Sequence, residues 1–496
     1  MISLILPPDR WNDMHFPIGL LSLSASLSAR GYENNVLDSA LLWGSKSHDR
    51  DKLILDNIVE NKVRIVGISS FIHEQNYVTE LTKKIKSLNK SIFVIAGGPQ
   101  PTVRPEYFLH SGVDLVVRGE AEDRICKIID EVNDRRDFYK IDGVSFLFDG
   151  RIVNTSPAEL IDDLNSLEIP AYEKSNISHY SRISSKVIRG VPLRVASIMT
   201  SRGCPFSCSY CMGKLITGRR VRFREASRIY DEVKKLRDKF GFEAVYFLDD
   251  TLGVSKTYVQ EICQVMKELG MLWGAQERVN TINEKSLREM RGSGCVQIDF
   301  GIESGSNRIL NEIANKNISV EMSRSALRMT GKNRLRTFSN FMIGFPTETE
   351  QEMGDTFKLA KEIRSNEYFV SILLPLPGTP IWDMVKPEIS DSEFFKLNFF
   401  GGKLLNLYNR SEVRDLEKMR TAITNSLYIR SRIRKLFRYW EFIAILLRKN
   451  KREIFKRIAV DLFYELGLLK GQVIFTLRSV KLLQSFVLRL RGGEQV

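Results

Sequence analysis

Three of the chain's six cysteines fall within eight residues, in the stretch SRGCPFSCSYCMG (201–213), as Cys204, Cys208 and Cys211. Thiolate sulfur is a soft ligand that selects zinc, copper(I) or iron–sulfur clusters. A structural zinc site needs four ligands, generally two knuckles of two. The spacing C-x3-C-x2-C supplies three, and no further Cys or His lies nearby. A cubane cluster held by three cysteines keeps one iron without a protein ligand. That suits chemistry rather than electron storage, for which four cysteines are usual. Cys126, Cys263 and Cys295 lie on helix or strand signals and read as small buried hydrophobes.

The elements that must position this loop are legible as alternations. The 496 residues exceed one ordinary core, and roughly three domains of about 150 residues are expected. Hydrophobic content of 43% and charged content of 27% suit a soluble globular protein. No apolar run reaches the ~18–20 residues that span a bilayer. The opening MISLILPPDRW has no basic n-region and reads as a first strand, so a cytoplasmic, thiol-reducing location is expected. ISLILP, VRIVGISS, IFVIAGG and VDLVVRGEAE are strand signals separated by helical stretches, which implies βαβ crossovers and a parallel sheet. Residues 144–154 read as a hairpin around Asp149-Gly150, and 156–195 as a connector with three prolines. From 195 a second alternation runs through VASIMT, AVYFLDD, LWGAQER, VQIDFGIES, FSNFMIG and FVSILLP. The expected fold is α/β: a doubly wound Rossmann-like domain (1–140), a hairpin and linker (141–194), a partial βα barrel (195–385) and a basic helical C-terminal region (386–496). The cysteine loop follows the first barrel strand, on the face where barrel chemistry sits.

With Tyr210 in CPFSCSYC, the loop resembles the CxxxCx-aromatic-C hallmark of the radical S-adenosylmethionine superfamily. The resemblance spans roughly 195–380. It implies a 4Fe–4S cluster on Cys204, Cys208 and Cys211, whose open iron binds the amino and carboxylate groups of S-adenosylmethionine. One electron, from an external donor such as flavodoxin or ferredoxin, then yields an adenosyl radical. Asp249 and Asp250 end the second strand where the superfamily faces the methionine amino group, with Leu-Asp-Asp in place of the commoner Gly-Gly-Glu. Glu303 and Ser304 in GIESGS resemble the ribose and methionine contacts, and Gly344 opens GFPTET after the fifth strand.

In the N-terminal domain, Ser69-Ser70, Gly97-Gly98 and Gly119-Glu120 end successive strands. Small residues at those ends leave a crevice for a large cofactor or its tail. This pattern, placed before the barrel, resembles the cobalamin-binding domain of one class of radical enzymes, and implies cobalamin as a further cofactor. Asp13, His15 and Gly19 fall where some cobalamin domains carry Asp-x-His-x-x-Gly, but the His-to-Gly gap is one residue too long. A cobalt without a protein nitrogen ligand is therefore expected. The methylthiotransferases, another radical family, carry three further cysteines before the barrel, whereas residues 1–200 hold only Cys126. The expected activity is methylation of an unactivated carbon in a small-molecule or lipid-like substrate. The alternatives are radical oxidative cyclisation or ring rearrangement with the same cofactors, and a non-catalytic metal- or cobalamin-binding protein. No acid–base residue is assigned.

The net charge of +14 is concentrated: residues 430–491 hold 16 Lys or Arg against 4 Asp or Glu. Leu436, Trp440, Ile443 and Leu447 could share one helical face. Two readings are open, a packed helical region with a solvated cationic exterior, and peripheral contact with an anionic membrane, where each basic residue adds about 1 kcal/mol. No nucleic-acid motif accompanies the charge, and no nucleic-acid partner is expected.

Overall fold

The computed structural model describes residues 1–8, 15–38, 47–385 and 416–437, with 445, 457–458 and 461. They form two compact units. The first comprises residues 1–180, 201–205 and 212–228, and the second 181–200, 206–211 and the described residues from 229 onward.

The first unit is built on a seven-stranded sheet. Its strands are β1 (Ile2–Leu6), β2 (Asn34–Asp38), β3 (Ile65–Ser69), β4 (Phe93–Gly97), β5 (Leu115–Val117), β6 (Val144–Phe148) and β7 (Arg151–Asn154), in the order β2-β1-β3-β4-β5-β6-β7. The first five pair in parallel. Their apolar runs feed cores on both faces: Leu4, Ile65, Ile95 and Leu115 on one, Ile5, Val66, Val94 and Val116 on the other. Burial on both faces is what a parallel sheet with crossover helices requires. The strand order reverses around β1, the switch point beside which doubly wound sheets form a crevice outside their C-terminal strand ends. The polar sequence NNVLD gave no strand signal, yet β2 forms at the edge, where Asn34 is buried and accepts a hydrogen bond from Ser24 Oγ at 2.6 Å. Asp149 (φ 48°) and Gly150 (φ 75°) supply the two left-handed residues of a tight turn. Through this turn the hairpin β6–β7 extends the sheet by two antiparallel strands. The segment after it packs on the same unit: Phe16 lies 5.0 Å from Tyr172 and 4.5 Å from Tyr180, and the Tyr180 hydroxyl donates to Asp38.

A two-stranded ladder completes this unit, β9 (Ser201–Arg202) paired antiparallel with β10 (Arg222–Phe223). The second unit is a six-stranded, wholly parallel sheet. Its strands are β8 (Val195–Ile198), β11 (Ala244–Phe247), β12 (Leu272–Glu277), β13 (Cys295–Glu303), β14 (Arg336–Ile343) and β15 (Glu367–Ile372). They lie in chain order, from β8 to β15, as a partial βα barrel does. Helices return the chain between strands, and Ser255, Asn283, Ser319 and Thr349 cap four of them by accepting a hydrogen bond from an amide three residues on. On one side of the sheet Trp273 is set edge-on to Phe247 at 5.4 Å. The other carries Tyr246, Gln297 and Asp299, joined by hydrogen bonds of 2.7 and 2.9 Å.

The helix Leu416–Phe437 packs against β15. Three tail cations turn inward. Arg432 grips Glu367 at 2.7 and 2.8 Å, Lys435 meets Asp461 at 2.6 Å, and the fully buried Arg457 binds Glu243 at 2.6 and 2.9 Å. Arg430, on the same helix, is exposed, whereas Trp440, Ile443, Leu447 and most of the remaining basic stretch lie outside the described residues. No described helix is long and apolar enough to cross a membrane.

Trp273 is fully buried and its indole donates to Ser293 Oγ at 3.2 Å. Trp273→Ala should lower unfolding free energy by about 3–5 kcal/mol, read from denaturant titration.

Candidate functional site

In the first unit the structure brings Ser69, Ser70, Gly97, Gly98 and Gly119 together at the adjacent ends of β3, β4 and β5. The Ser70 amide donates to the Gly97 carbonyl at 2.9 Å, and the Gln100 amide to the Ser70 carbonyl at 3.1 Å. Gly98 has φ +97°, and a Cβ there would lie 3.0 Å from Ser69 Oγ and 3.1 Å from the Ser70 carbonyl. Both the backbone conformation and the space exclude a side chain. At Gly97 a Cβ would meet nothing closer than the Val117 carbonyl at 3.7 Å, and at Gly119 nothing within 4 Å. The result is a cradle of bare backbone at the strand ends, which fits the tail of a large cofactor. His15 is partly exposed and Gly19 exposed; Asp13 lies outside the described residues.

Glu120, the last of these strand-end residues, is ion-paired. Its two oxygens accept from Arg222 Nη1 and Nη2 at 2.7 and 2.8 Å, and one also accepts from the Ile161 amide at 2.9 Å. Arg202 reaches Glu120 at 3.4 Å and Glu122 at 2.6 Å. Burial alone would raise the Glu122 carboxyl, but the charge and hydrogen bond of Arg202 reverse this and hold it below the usual range. Arg222 and Glu120 are 3% and 5% exposed, so the pair is desolvated. Both carboxylate oxygens of Glu120 are thus committed inside the chain. Its partners flank the cysteine loop: Arg202 precedes Cys204 by two residues and pairs with Arg222 in the β9–β10 ladder. The Cys204 amide donates to the Gly218 carbonyl at 3.1 Å.

The chain passes into the second unit within the loop. None of the three cysteines is in a disulfide; Cys208 is buried, Cys204 partly buried and Cys211 exposed. The Ser209 amide donates to the Ala314 carbonyl at 2.9 Å, and the Ile381 amide to the Ser209 carbonyl at 3.1 Å, which fixes the loop beside Cys208. Arg278 Nη1 donates to Cys208 Sγ at 3.3 Å. Among the described residues no three His, Cys, Asp or Glu side chains gather closely enough to hold one metal ion. Three cysteines outside any disulfide on one short loop, one of them buried against a guanidinium, fit thiolate ligation of a cluster.

Around the loop stand the other expected residues. The Tyr210 ring meets Phe345 edge-on at 6.1 Å, and its hydroxyl accepts from Lys316 Nζ at 3.2 Å. Burial, then the Glu303 charge, push the Tyr210 hydroxyl well above its ordinary value. Glu303 ends β13 just past a register shift, in a left-handed conformation with φ 66°. Such a conformation costs about 1–3 kcal/mol for a non-glycine residue. It holds Glu303 against Lys316 Nζ at 2.7 Å, a pair almost sealed from solvent. Ser304 is fully buried, accepts from the Ser306 amide at 3.1 Å and lies 3.2 Å from Thr356 Oγ1. Asp249 is buried and accepts from both the amide and the hydroxyl of Thr200, whereas Asp250 is exposed. The amides of Gly344 and Phe345 donate to Glu348 at 2.6 and 3.0 Å. Burial pushes the Glu348 carboxyl up to about 8. It does the same to Glu277, at the end of β12, aided by the nearby Asp249 charge.

Arg202, Arg222, Arg278, Lys316, Glu277 and Glu348 are absent from the sequence reading. Glu348 lies inside the noted GFPTET motif and Arg278 closes the noted strand LWGAQER, so a charged residue at a strand end was the available signal. The Arg222–Glu120 pair spans 102 positions and left none.

The family model described as Radical SAM superfamily matches residues 198–360, and that described as B12 binding domain matches 12–129. The chain is 35% identical to an uncharacterized methyltransferase of Pyrococcus horikoshii, over 77% of this chain and 82% of that one. It is 26% identical to an anaerobic magnesium-protoporphyrin IX monomethyl ester cyclase of Rubrivivax gelatinosus, over 77% and 68%. Among solved structures it resembles the radical S-adenosylmethionine methyltransferase TsrM from Kitasatospora setae, with a TM-score of 0.63 at 18% identity, covering 78% of this chain and 75% of that one.

Two measurements bear on this geometry. Glu120→Ala leaves Arg222 buried without its partner and should destabilise the protein by about 3–5 kcal/mol in denaturant unfolding. Glu277 keeps its proton in the folded chain up to about pH 8, whereas an unfolded glutamate releases it near 4.3. Between those values the folded state binds more protons, so this residue makes stability fall with rising pH by about 1.4 kcal/mol per unit. Glu277→Gln should remove that slope when unfolding is compared at pH 5.5 and 7.5.

Proposed function

This chain belongs to the cobalamin-dependent branch of the radical S-adenosylmethionine superfamily, and from that premise we propose that it methylates an unactivated carbon of a small-molecule substrate. The observation that supports this most directly is one chain carrying both a three-cysteine loop after the first strand of a βα sheet and a bare-backbone cradle at the ends of β3, β4 and β5. When bound, a 4Fe–4S cluster, S-adenosylmethionine and cobalamin supply one-electron reduction, hydrogen abstraction and a methyl carrier.

The residues divide the work. Cys204, Cys208 and Cys211 would hold the cluster. Ser69, Ser70, Gly97, Gly98 and Gly119 would receive the cobalamin tail. Tyr210, Asp249, Asp250, Glu303, Ser304 and Gly344 would surround S-adenosylmethionine. Lys316 offsets the charge of Glu303, so the carboxylate is held ready in a fixed direction rather than repelled by a second acid. Glu120 positions the loop through Arg222. The functional regions proposed are 1–140 for cobalamin, 141–194 as hairpin and linker, 195–385 for the radical chemistry and 386–496 as a basic helical region.

An external flavodoxin or ferredoxin as electron source, a cytoplasmic location and a lipid-like substrate are parts of the same proposal. The support for membrane contact is narrowed to the exposed Arg430 and to basic residues of 430–491 whose side chains lie outside the described ones, because Arg432, Lys435 and Arg457 are paired inward. Oxidative cyclisation is the second reading, favoured by the similarity to a cyclase. Product mass separates the two, since methylation adds a carbon and cyclisation removes hydrogens.

Anaerobically reconstituted protein should bind four irons and four sulfides and release 5′-deoxyadenosine from S-adenosylmethionine. Cys208→Ala should reduce that release to background. One tightly bound zinc with no reductive cleavage would overturn the proposal.

A further inference from the structure

Arg278 directly follows β12 and is 6% exposed. Each arm of its guanidinium has one acceptor. Nε donates to Asn280 Oδ1 at 3.3 Å, Nη2 to the Lys316 carbonyl, and Nη1 to Cys208 Sγ at 3.3 Å. Its Cζ lies over the Phe206 ring, 3.7 Å from the centroid. Among the described residues no carboxylate pairs with it. Phe206 lies two positions before Cys208, so the same loop supplies both the ring and the sulfur.

A guanidinium cannot shed its proton in a protein. A buried cation without a counter-charge is costly by several kcal/mol. The amide and the carbonyl offer only partial charge. Of the three acceptors, the sulfur alone can carry a full negative charge, as a thiolate. The sulfur of Cys208, one of the proposed cluster ligands, therefore stands where a carboxylate partner of Arg278 would be expected.

We propose that Arg278 is the counter-ion of Cys208 and, through that sulfur, raises the reduction potential of the cluster the three cysteines hold. The inference rests on the cluster reading given above. Its physics is electrostatic: adding an electron makes the cluster more negative, and a fixed cation at one ligand stabilises the reduced form more than the oxidised one. Hydrogen bonding to the sulfur acts in the same direction. The Phe206 ring beneath the guanidinium excludes water from one side, which strengthens both effects. Arg278 is thus a positioning residue that acts through Cys208.

The test uses full-length protein, reconstituted anaerobically, with iron and sulfide counted before each measurement. Wild type, Arg278→Lys and Arg278→Gln are titrated with dithionite without S-adenosylmethionine, and the reduced cluster is followed by electron paramagnetic resonance. The expected result is a more negative midpoint for Arg278→Gln at wild-type iron content, with Arg278→Lys between it and wild type. Equal midpoints for all three proteins would overturn the proposal. So would an unchanged midpoint accompanied by loss of the spectral change that S-adenosylmethionine induces, because Arg278 would then be a ligand contact. A folded Arg278→Lys that takes up no cluster also overturns it, since retained charge would not suffice. Failure of the wild-type protein itself to assemble four irons is a distinct result, and removes the cluster reading beneath it.

Discussion

The buried pair of Arg222 and Glu120 is the constraint on which the cysteine loop depends. Two charges removed from water cost several kcal/mol each, and only excellent geometry offsets that. Here the geometry is a two-pronged fork, with a backbone amide on the carboxylate and Arg202 and Glu122 joined alongside. A network of this kind contributes little net stability but tolerates almost no displacement, because either ion left alone is worse than both together. Glu120 follows the last residues of β5, which also shape the bare-backbone cradle. Arg202 and Arg222 bracket the start of the loop that begins at Cys204. Position is therefore passed from a strand end to the base of the loop through charge rather than through a rigid helix.

Past Cys208 the loop is held by a different set of cations. Lys316 and Arg278 are both nearly buried, and each is directed at a group the proposed chemistry needs. The two are coupled, since Arg278 donates to the Lys316 carbonyl. Glu303 accepts a left-handed backbone in return for its ion pair with Lys316. Residues in such conformations persist only where their surroundings over-determine them. The register shift in β13 lets this happen at the strand end without disturbing the ladder to β14 earlier in the strand.

What was legible in the sequence is what repeats locally. The six strands of the second sheet and four of the five parallel strands of the first announced themselves as apolar runs with turn residues between them. The cysteine spacing lay in eight consecutive residues. β2 did not announce itself, because its sequence NNVLD is polar and its stability comes from tertiary partners: Ser24, and Lys174 Nζ at 2.9 Å from Asn34 Oδ1. The candidate site divides along the same line. Glycines at strand ends carry their reason in their own backbone, so Gly97, Gly98 and Gly119 could be picked out singly. Charged residues carry theirs in a partner, and the partners of Glu120, Cys208 and Glu303 lie 102, 70 and 13 positions away. Glu120 was thus visible as a residue while its commitment to Arg222 was not.

The same reasoning alters what the basic tail means. A count of charges treats each cation as available to an outside anion. Arg432, Lys435 and Arg457 are not available, because Glu367, Asp461 and Glu243 neutralise them within the fold. Glu367 and Glu243 lie at the start of β15 and just before β11, so these cations close the end of the sheet opposite the cysteine loop. Removing one of them would strand a buried carboxylate rather than weaken a surface field. The excess charge of 430–491 is real, but for these three residues it measures how the helical region is fastened to the sheet. Any attraction to an anionic surface falls to the cations that the fold does not already use.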